Sequence, residues 1–363
     1  MTTTPAEPTK ASSSRRPILV LLGLVILVAL GWWLHSRVPF DWYSLGHQLR
    51  SIDYRYALTG VALIYFSFWL RAVRWSILLA PVRKVPATKL IASQLIGFTA
   101  VALIGRIADL SRPYLIARRL RLPVASQLAI YSVERAFDLG AAAILFSVTL
   151  AFAPHDLPHH EAYFRAGALS LAATLGIAIF AVSLRLAGEL VARIIRTVIS
   201  PLSANFANTV ADRMLDFREG LRTISSWQEF LSALMISLIM WGCIAITYLV
   251  CARAFVAEPT LAHLSFTAIM LVLATSLGGS LLQLPVIGWF TQIAINAAAL
   301  HGFFNVPLET STACATVILC VANLAIIPAG FLAARIEGTT LRQAVSESSV
   351  ANESGAAEAT PLA

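Results

Sequence analysis

The chain has 363 residues, of which 58% are hydrophobic and only 13% charged, with a mean hydropathy of +0.76. Ordinary soluble domains carry roughly twice that share of charge, so the surplus apolar side chains call for a solvent other than water, and a polytopic membrane protein is implied. The net charge of +8 does not indicate a nucleic-acid partner, because the basic residues lie between apolar segments and are not gathered into a basic domain with interleaved aromatics.

Residues 1–16 form a polar N-terminus ending in Arg15 and Arg16, followed by an apolar run from Pro17 to Leu34. No small-residue cleavage pattern follows that run, so it reads as an uncleaved first helix in place of a signal peptide. Trp32, Trp33, Trp42 and Tyr43 then suit an outer interfacial belt. Further spans are expected at Tyr56–Ala80, Val124–Ala153, Tyr163–Leu184, Phe230–Val256 and Leu308–Ala334.

Two apolar stretches read differently. Ile91–Gly105 is short and runs into a basic segment, and Leu264–Leu300 is interrupted by Gly278, Gly279, Pro285 and Gly288. Breakers at membrane depth are tolerated where protein or a watery cavity satisfies the freed backbone, so both are expected to be re-entrant, discontinuous hairpins. With the N-terminus cytoplasmic, most of the 27 Lys and Arg fall on the inner side, provided that the first hairpin dips from the inner face and the second from the outer. Two such hairpins, each followed by a span, suit an inverted-topology repeat. The expected fold is thus an all-α polytopic bundle occupying residues 17–336.

Within that bundle, residues 187–227 are mixed. Phe206, Val210, Met214, Phe217, Leu221 and Ile224 step by three or four among charged neighbours, which fits an amphipathic helix in the inner interface or a solvated helix between spans. Residues 337–363 are Ser-, Ala- and Glu-rich without periodicity, a disordered composition.

Charges inside spans carry the strongest functional signal, because each costs about 2.5–3.5 kcal/mol at the bilayer centre on insertion scales and needs a partner or water. Glu134, Arg135 and Asp138 lie within one span, with Glu134 and Asp138 one turn apart, and Arg71 and Arg74 lie within another. The two arginines are expected to neutralise the two acids across a helix pair, either as a structural ion network or as the polar lining of a site. At the exit of the first hairpin, Arg106 and Arg112 flank Asp109 and offer planar forks suited to a lipid phosphate. The alternative is that the basic residues around Arg112, Arg118, Arg119 and Arg121 anchor the chain to anionic lipid.

These residues resemble a family. Arg71-Ala-Val-Arg74-Trp75, Gly105-Arg106 with Asp109-Leu-Ser-Arg112, Glu134-Arg135-Ala-Phe-Asp138 and Leu284-Pro285-Val-Ile-Gly288 occur in the order and spacing of the lysylphosphatidylglycerol synthase transmembrane region, also called the flippase-like domain family, over about Ile18 to Arg335. The resemblance implies a bacterial or archaeal membrane protein similar to lipid flippases and to partners of envelope lipid synthesis. Ala108 and Asp109 stand where the family commonly has Gly and Glu. Its second hairpin, often Gly-rich and acidic, here carries Val286, Ile287, Trp289 and Gln292. The soluble aminoacyl-transfer domain of the bifunctional synthases does not follow Arg335, so lysine transfer is not expected.

The remaining signals are thin. His155, His159, His160 and Glu161 could be a metal loop but read better as a solvated one. Cys243, Cys251, Cys314 and Cys320 lack metal or redox spacing. No P-loop, nucleophile elbow or dinucleotide fingerprint occurs, and no cofactor or metal is expected. The expected function is translocation or presentation of an anionic phospholipid or lipid-linked intermediate between leaflets of the bacterial inner membrane. Envelope lipid-synthesis enzymes are possible partners, and no nucleic acid is. The alternative is a membrane enzyme or accessory subunit acting on a lipid-linked sugar, with Asp109, Glu134 or Asp138 as acid or base.

Overall fold

The computed structural model describes residues 41–152, 160–199, 203, 208, 226–279 and 287–338. The first apolar run, the His155–His159 loop, the 206–224 amphipathic pattern, Pro285 and the tail beyond 338 fall outside them. Among the described residues every regular element is helical: α1 (Trp42–Arg50), α2 (Tyr54–Leu79), α3 (Ala87–Ile104), a 3-10 turn at Arg106–Leu110, α4 (Ser111–Leu120), α5 (Val124–Ala151), α6 (His160–Ile199), α7 (Trp227–Arg253), a single helical turn at Pro259–Ala262, α8 (Phe266–Gly279), α9 (Ile287–Phe304), α10 (Leu308–Leu319), a π-turn at Cys320–Leu324 and α11 (Ile326–Ile336). Helices are the expected solution, because backbone polar groups in hydrocarbon must be satisfied within the segment itself.

Among the described residues, four helices are long and apolar enough to cross a membrane: Tyr54–Leu79, Ala87–Ile104, Trp227–Arg253 and the continuous Leu308–Ile336. The chain is a multi-pass membrane protein. Local chemistry sets the ends of these helices. Asp53 caps α2 by accepting from the Arg55 N–H, and Ser226 with Glu229 forms a reciprocal capping box at the start of α7, which satisfies donors that would otherwise be orphaned.

Two boundaries differ from the sequence expectation. α3 begins four residues earlier than expected and reaches 18 residues, because Ala87-Thr-Lys extends the helix after Pro86. The α6 helix does not stop at Leu184 but runs for 40 residues, roughly 60 Å at 1.5 Å per residue. Nothing between Leu184 and Ile199 stops it, and the next proline is Pro201. The start of the expected interfacial segment is therefore the continuation of α6.

α3 ends abruptly at Gly105, whose φ of 90° lies in the region that only glycine enters without a Cβ penalty. The chain turns there through the 3-10 segment, and α4 packs back along α3. Arg83, ahead of α3, donates to the Leu120 carbonyl at the end of α4 at 2.8 Å, so the excursion begins and ends at one level. α8 and α9 pack on each other as a second pair. The Trp289 indole N–H, near the start of α9, donates at 2.8 Å to the Ala102 carbonyl, one of the carbonyls left without a helical partner at the end of α3.

Close approach depends on small residues, as is usual between helices in lipid. A Cβ on Gly60 of α2 would lie 2.9 Å from Val321 in the π-turn and 3.4 Å from Cys251 on α7. One on Gly330 of α11 would lie 1.8 Å from the Thr99 hydroxyl of α3. One apolar core gathers Trp75, Leu78, Leu90, Ile116 and Ile130, and a second gathers Phe255, Leu261, Ile269, Leu300 and Ile318.

Candidate functional site

The charged residues noted in the sequence converge between α2, α3, α4, α5 and α7. Arg74 on α2 is fully buried. It donates through Nη2 to Glu134 at 2.8 Å, and through Nη1 to Asp138 and to the Ser237 hydroxyl, each at 2.7 Å. The i, i+4 spacing of Glu134 and Asp138 lets one guanidinium bridge both carboxylates. Glu134 lies ten residues into α5, roughly 15 Å from its start at about 1.5 Å per residue, in a run with no other acid before Asp138.

Arg112 on α4 is fully buried too. Its Nη1 donates to Glu134 at 3.1 Å and to the Gln94 amide oxygen at 3.3 Å, and its Nη2 donates to Asp109 at 2.9 Å. The ring of Phe98 lies 4.2 Å from this guanidinium and 4.8 Å from that of Arg71, within cation–π range. Arg112 fits there because Gly97, one turn of α3 away, has no side chain. A Cβ on Gly97 would sit 2.0 Å from the Arg112 Cγ. Tyr131 completes this end by donating its hydroxyl proton to Asp109 at 2.5 Å.

The placement of Arg112 corrects the role its sequence position suggested. Its fork is spent on Glu134, Asp109 and Gln94 and shielded by two rings, so no face of it is open to a lipid phosphate. The structure instead ties the first hairpin to α5 through this side chain. Arg106 lies in the 3-10 turn at the tip, and its side chain falls outside the described residues.

Two arginines remain incompletely paired. Arg71 stands 3.5 Å from Asp138 and 4.0 Å from Glu134. The Arg135 side chain is 36% exposed and reaches Asp138 only at 3.6 Å and Glu134 at 3.8 Å. Its Nε and Nη2 donate no hydrogen bond among the described residues. Against the four guanidinium groups of Arg71, Arg74, Arg112 and Arg135 stand the three carboxylates of Asp109, Glu134 and Asp138. Among the described residues the cluster thus holds one positive charge in excess, and Arg135 is the guanidinium nearest the exterior.

One turn beyond the ions lies an apolar cavity of about 280 Å³, lined from α5, α6, α7 and α8 by residues including Leu139, Ala142, Phe146, Trp241, Met270 and Leu277. Leu139 follows Asp138 directly, and Trp241 is one turn from Ser237 on α7, so charge gives way to hydrocarbon lining over a few ångströms. The buried indole N–H of Trp241 has no partner among the described residues.

Of the second-hairpin residues singled out earlier, Gly278 ends in an exposed position, Gly288 is buried, and Gln292 is 7% exposed against Ser276. They lie apart from the ion cluster, in a neutral polar group. Gln94, Phe98, Tyr131 and Ser237 were not foreseen from sequence. Only the four-residue spacing of Gln94 and Phe98 beside Gly97 could have marked that face of α3.

The lysylphosphatidylglycerol synthase TM region profile matches residues 20–330, and the chain belongs to that family. No curated protein matches it.

Proposed function

We propose that this member of the lysylphosphatidylglycerol synthase TM region family moves an anionic lipid, either a phospholipid or a lipid-linked phosphate intermediate, between the leaflets of the bacterial inner membrane, with its N-terminus cytoplasmic. The observation that carries this reading is the half-exposed and incompletely paired Arg135 at the edge of a buried ion network, one turn along α5 from Leu139, which lines an apolar cavity. A phosphate would bind at Arg135, supported by Arg71 and by Arg106 at the hairpin tip, while its acyl chain would occupy the cavity. An anion there completes the charge balance of the cluster, and a hydrocarbon chain suits walls made of Leu, Ala, Phe and Met.

In this reading α3–α4 and α8–α9 are re-entrant hairpins related by an inverted repeat. The Trp289–Ala102 hydrogen bond, which joins α9 to the end of α3, lies in the partition that alternating access would shift. Arg74, Arg112, Glu134, Asp109 and Asp138 act as the rigid lining that positions Arg135. Presentation of the lipid to envelope lipid-synthesis enzymes is the role most compatible with such a carrier.

The test is reconstitution in vesicles holding a fluorescent-headgroup phosphatidylglycerol, with dithionite quenching of the outer leaflet. Protein-containing vesicles should lose nearly all fluorescence and protein-free vesicles about half. Arg135→Gln should slow the second phase at least tenfold, about 1.4 kcal/mol or more of lost interaction, and Arg135→Lys less. Quenching identical with and without protein, or an Arg135→Gln rate equal to wild type, would overturn the proposal.

A further inference from the structure

Three carboxylates surround Arg135: Asp138 at 3.6 Å, Glu134 at 3.8 Å and Asp109 at 4.0 Å. None is close enough to accept a hydrogen bond from it. The cause is competition from other donors. Glu134 accepts from Arg74 and Arg112, and Asp138 accepts from Arg74, and both of these arginines are fully buried. Asp109 accepts from Arg112 through Oδ1 at 2.9 Å. Its Oδ2, the oxygen that faces Arg135, accepts from the Tyr131 hydroxyl at 2.5 Å.

Of these competing donors, Tyr131 is the neutral one. It stands one turn before Arg135 on α5, so the two share a face of the helix. The centre of its ring lies 5.0 Å from the Arg135 guanidinium and 5.3 Å from that of Arg112, within cation–π range of both. Asp109 is also the most exposed of the three acids, with 20% of its side chain accessible against 7% for Asp138 and 1% for Glu134. It is therefore the carboxylate onto which the half-exposed Arg135 could close. An arginine–carboxylate bond there would occupy the donors that an oxyanion needs, and Arg135 can reach that oxygen only by displacing the phenol.

We infer that Tyr131 is a positioning residue, whose hydroxyl occupies Asp109 so that the guanidinium of Arg135 stays open to the phosphate of a lipid. The inference rests on the preceding reading of Arg135 as the anion-binding group and adds a residue on which that binding depends.

The test follows Arg135 itself as well as the lipid. Phenylglyoxal, which attacks unpaired guanidinium groups, should label Arg135 in the full-length protein in detergent, read by peptide mass spectrometry. Tyr131→Phe keeps the ring and removes the hydroxyl, Arg135 closes onto Asp109, and labelling should slow about fivefold, the factor for a partly exposed ion pair of about 1 kcal/mol. Movement of the fluorescent phosphatidylglycerol should slow by the same factor when the lipid is dilute in the vesicle and by less when it is abundant, because binding and not turnover is impaired. Adding Asp109→Asn to Tyr131→Phe takes away the competing acid and should restore most of both rates. An unchanged labelling rate in Tyr131→Phe would overturn the inference, as would a slowing that Asp109→Asn does not relieve. Labelling that responds as stated in a protein that moves no lipid would support the placement of Arg135 by Tyr131 and overturn the transport reading alone.

Discussion

Replacing Glu134 by Gln keeps the shape of the side chain and removes its charge at the one carboxylate held by both Arg74 at 2.8 Å and Arg112 at 3.1 Å. The charge excess of the cluster then rises from one to two, inside a region where Arg74, Arg112 and Glu134 are all fully buried. Removing one partner of a buried pair costs about 3–5 kcal/mol, because the other charge is left uncompensated. At about 2 °C per kcal/mol for a chain of this size, the apparent unfolding midpoint in detergent should fall by about 6–10 °C. Arg135→Gln serves as the contrast. Its side chain is 36% exposed, so its loss should cost no more than about 1 kcal/mol of stability even as it impairs lipid movement. In a cycle with Arg74→Gln, the double variant should lose at least about 1 kcal/mol less than the sum of the singles. A Glu134→Gln midpoint within about 1 °C of wild type, or strict additivity in the cycle, would refute the idea that these ions are mutually dependent.

Gly97→Ala should destabilise by about 1–3 kcal/mol, since its Cβ would lie 2.0 Å from the Arg112 side chain; Gly242→Ala, with nothing within 4 Å, should leave the midpoint unchanged or raise it slightly. Trp289→Phe removes the indole donor from the Ala102 carbonyl, worth about 0.5–1.5 kcal/mol, and should speed hydrogen exchange in residues 102–110, read by mass spectrometry.

What was legible in the sequence followed from how sharply a residue stood out against its surroundings. Arg71, Arg74, Glu134 and Asp138 were conspicuous because charge in an apolar run is expensive, and their spacing sufficed to pair them. The break at the end of α3 was legible from Gly105 and the basic segment after it. Arg112 was assigned the wrong partner, because sequence cannot tell a guanidinium turned toward lipid from one folded inward over a glycine of the preceding helix. Uncharged polar residues were harder still. Ser237 and Tyr131 are unremarkable members of spans until a neighbouring helix places an ion opposite them. The length of α6 could have been read from the lack of any proline between Leu184 and Pro201.

The π-turn at Cys320–Leu324 closes with the Ala325 N–H donating to the Cys320 carbonyl at 2.8 Å. An extra residue is thereby accommodated in one turn of an otherwise continuous helix of 29 residues. Below it, Gly330 rests on Thr99, and the Ala325 and Ile326 carbonyls are claimed by Tyr65 and Thr99; above it, α10 packs against α9 and α1. One rod thus has its two ends fastened to different hairpins, with a swivel between them. The extra residue of the π-turn offsets the faces that the two ends of the rod present, so each end meets its own neighbours in register.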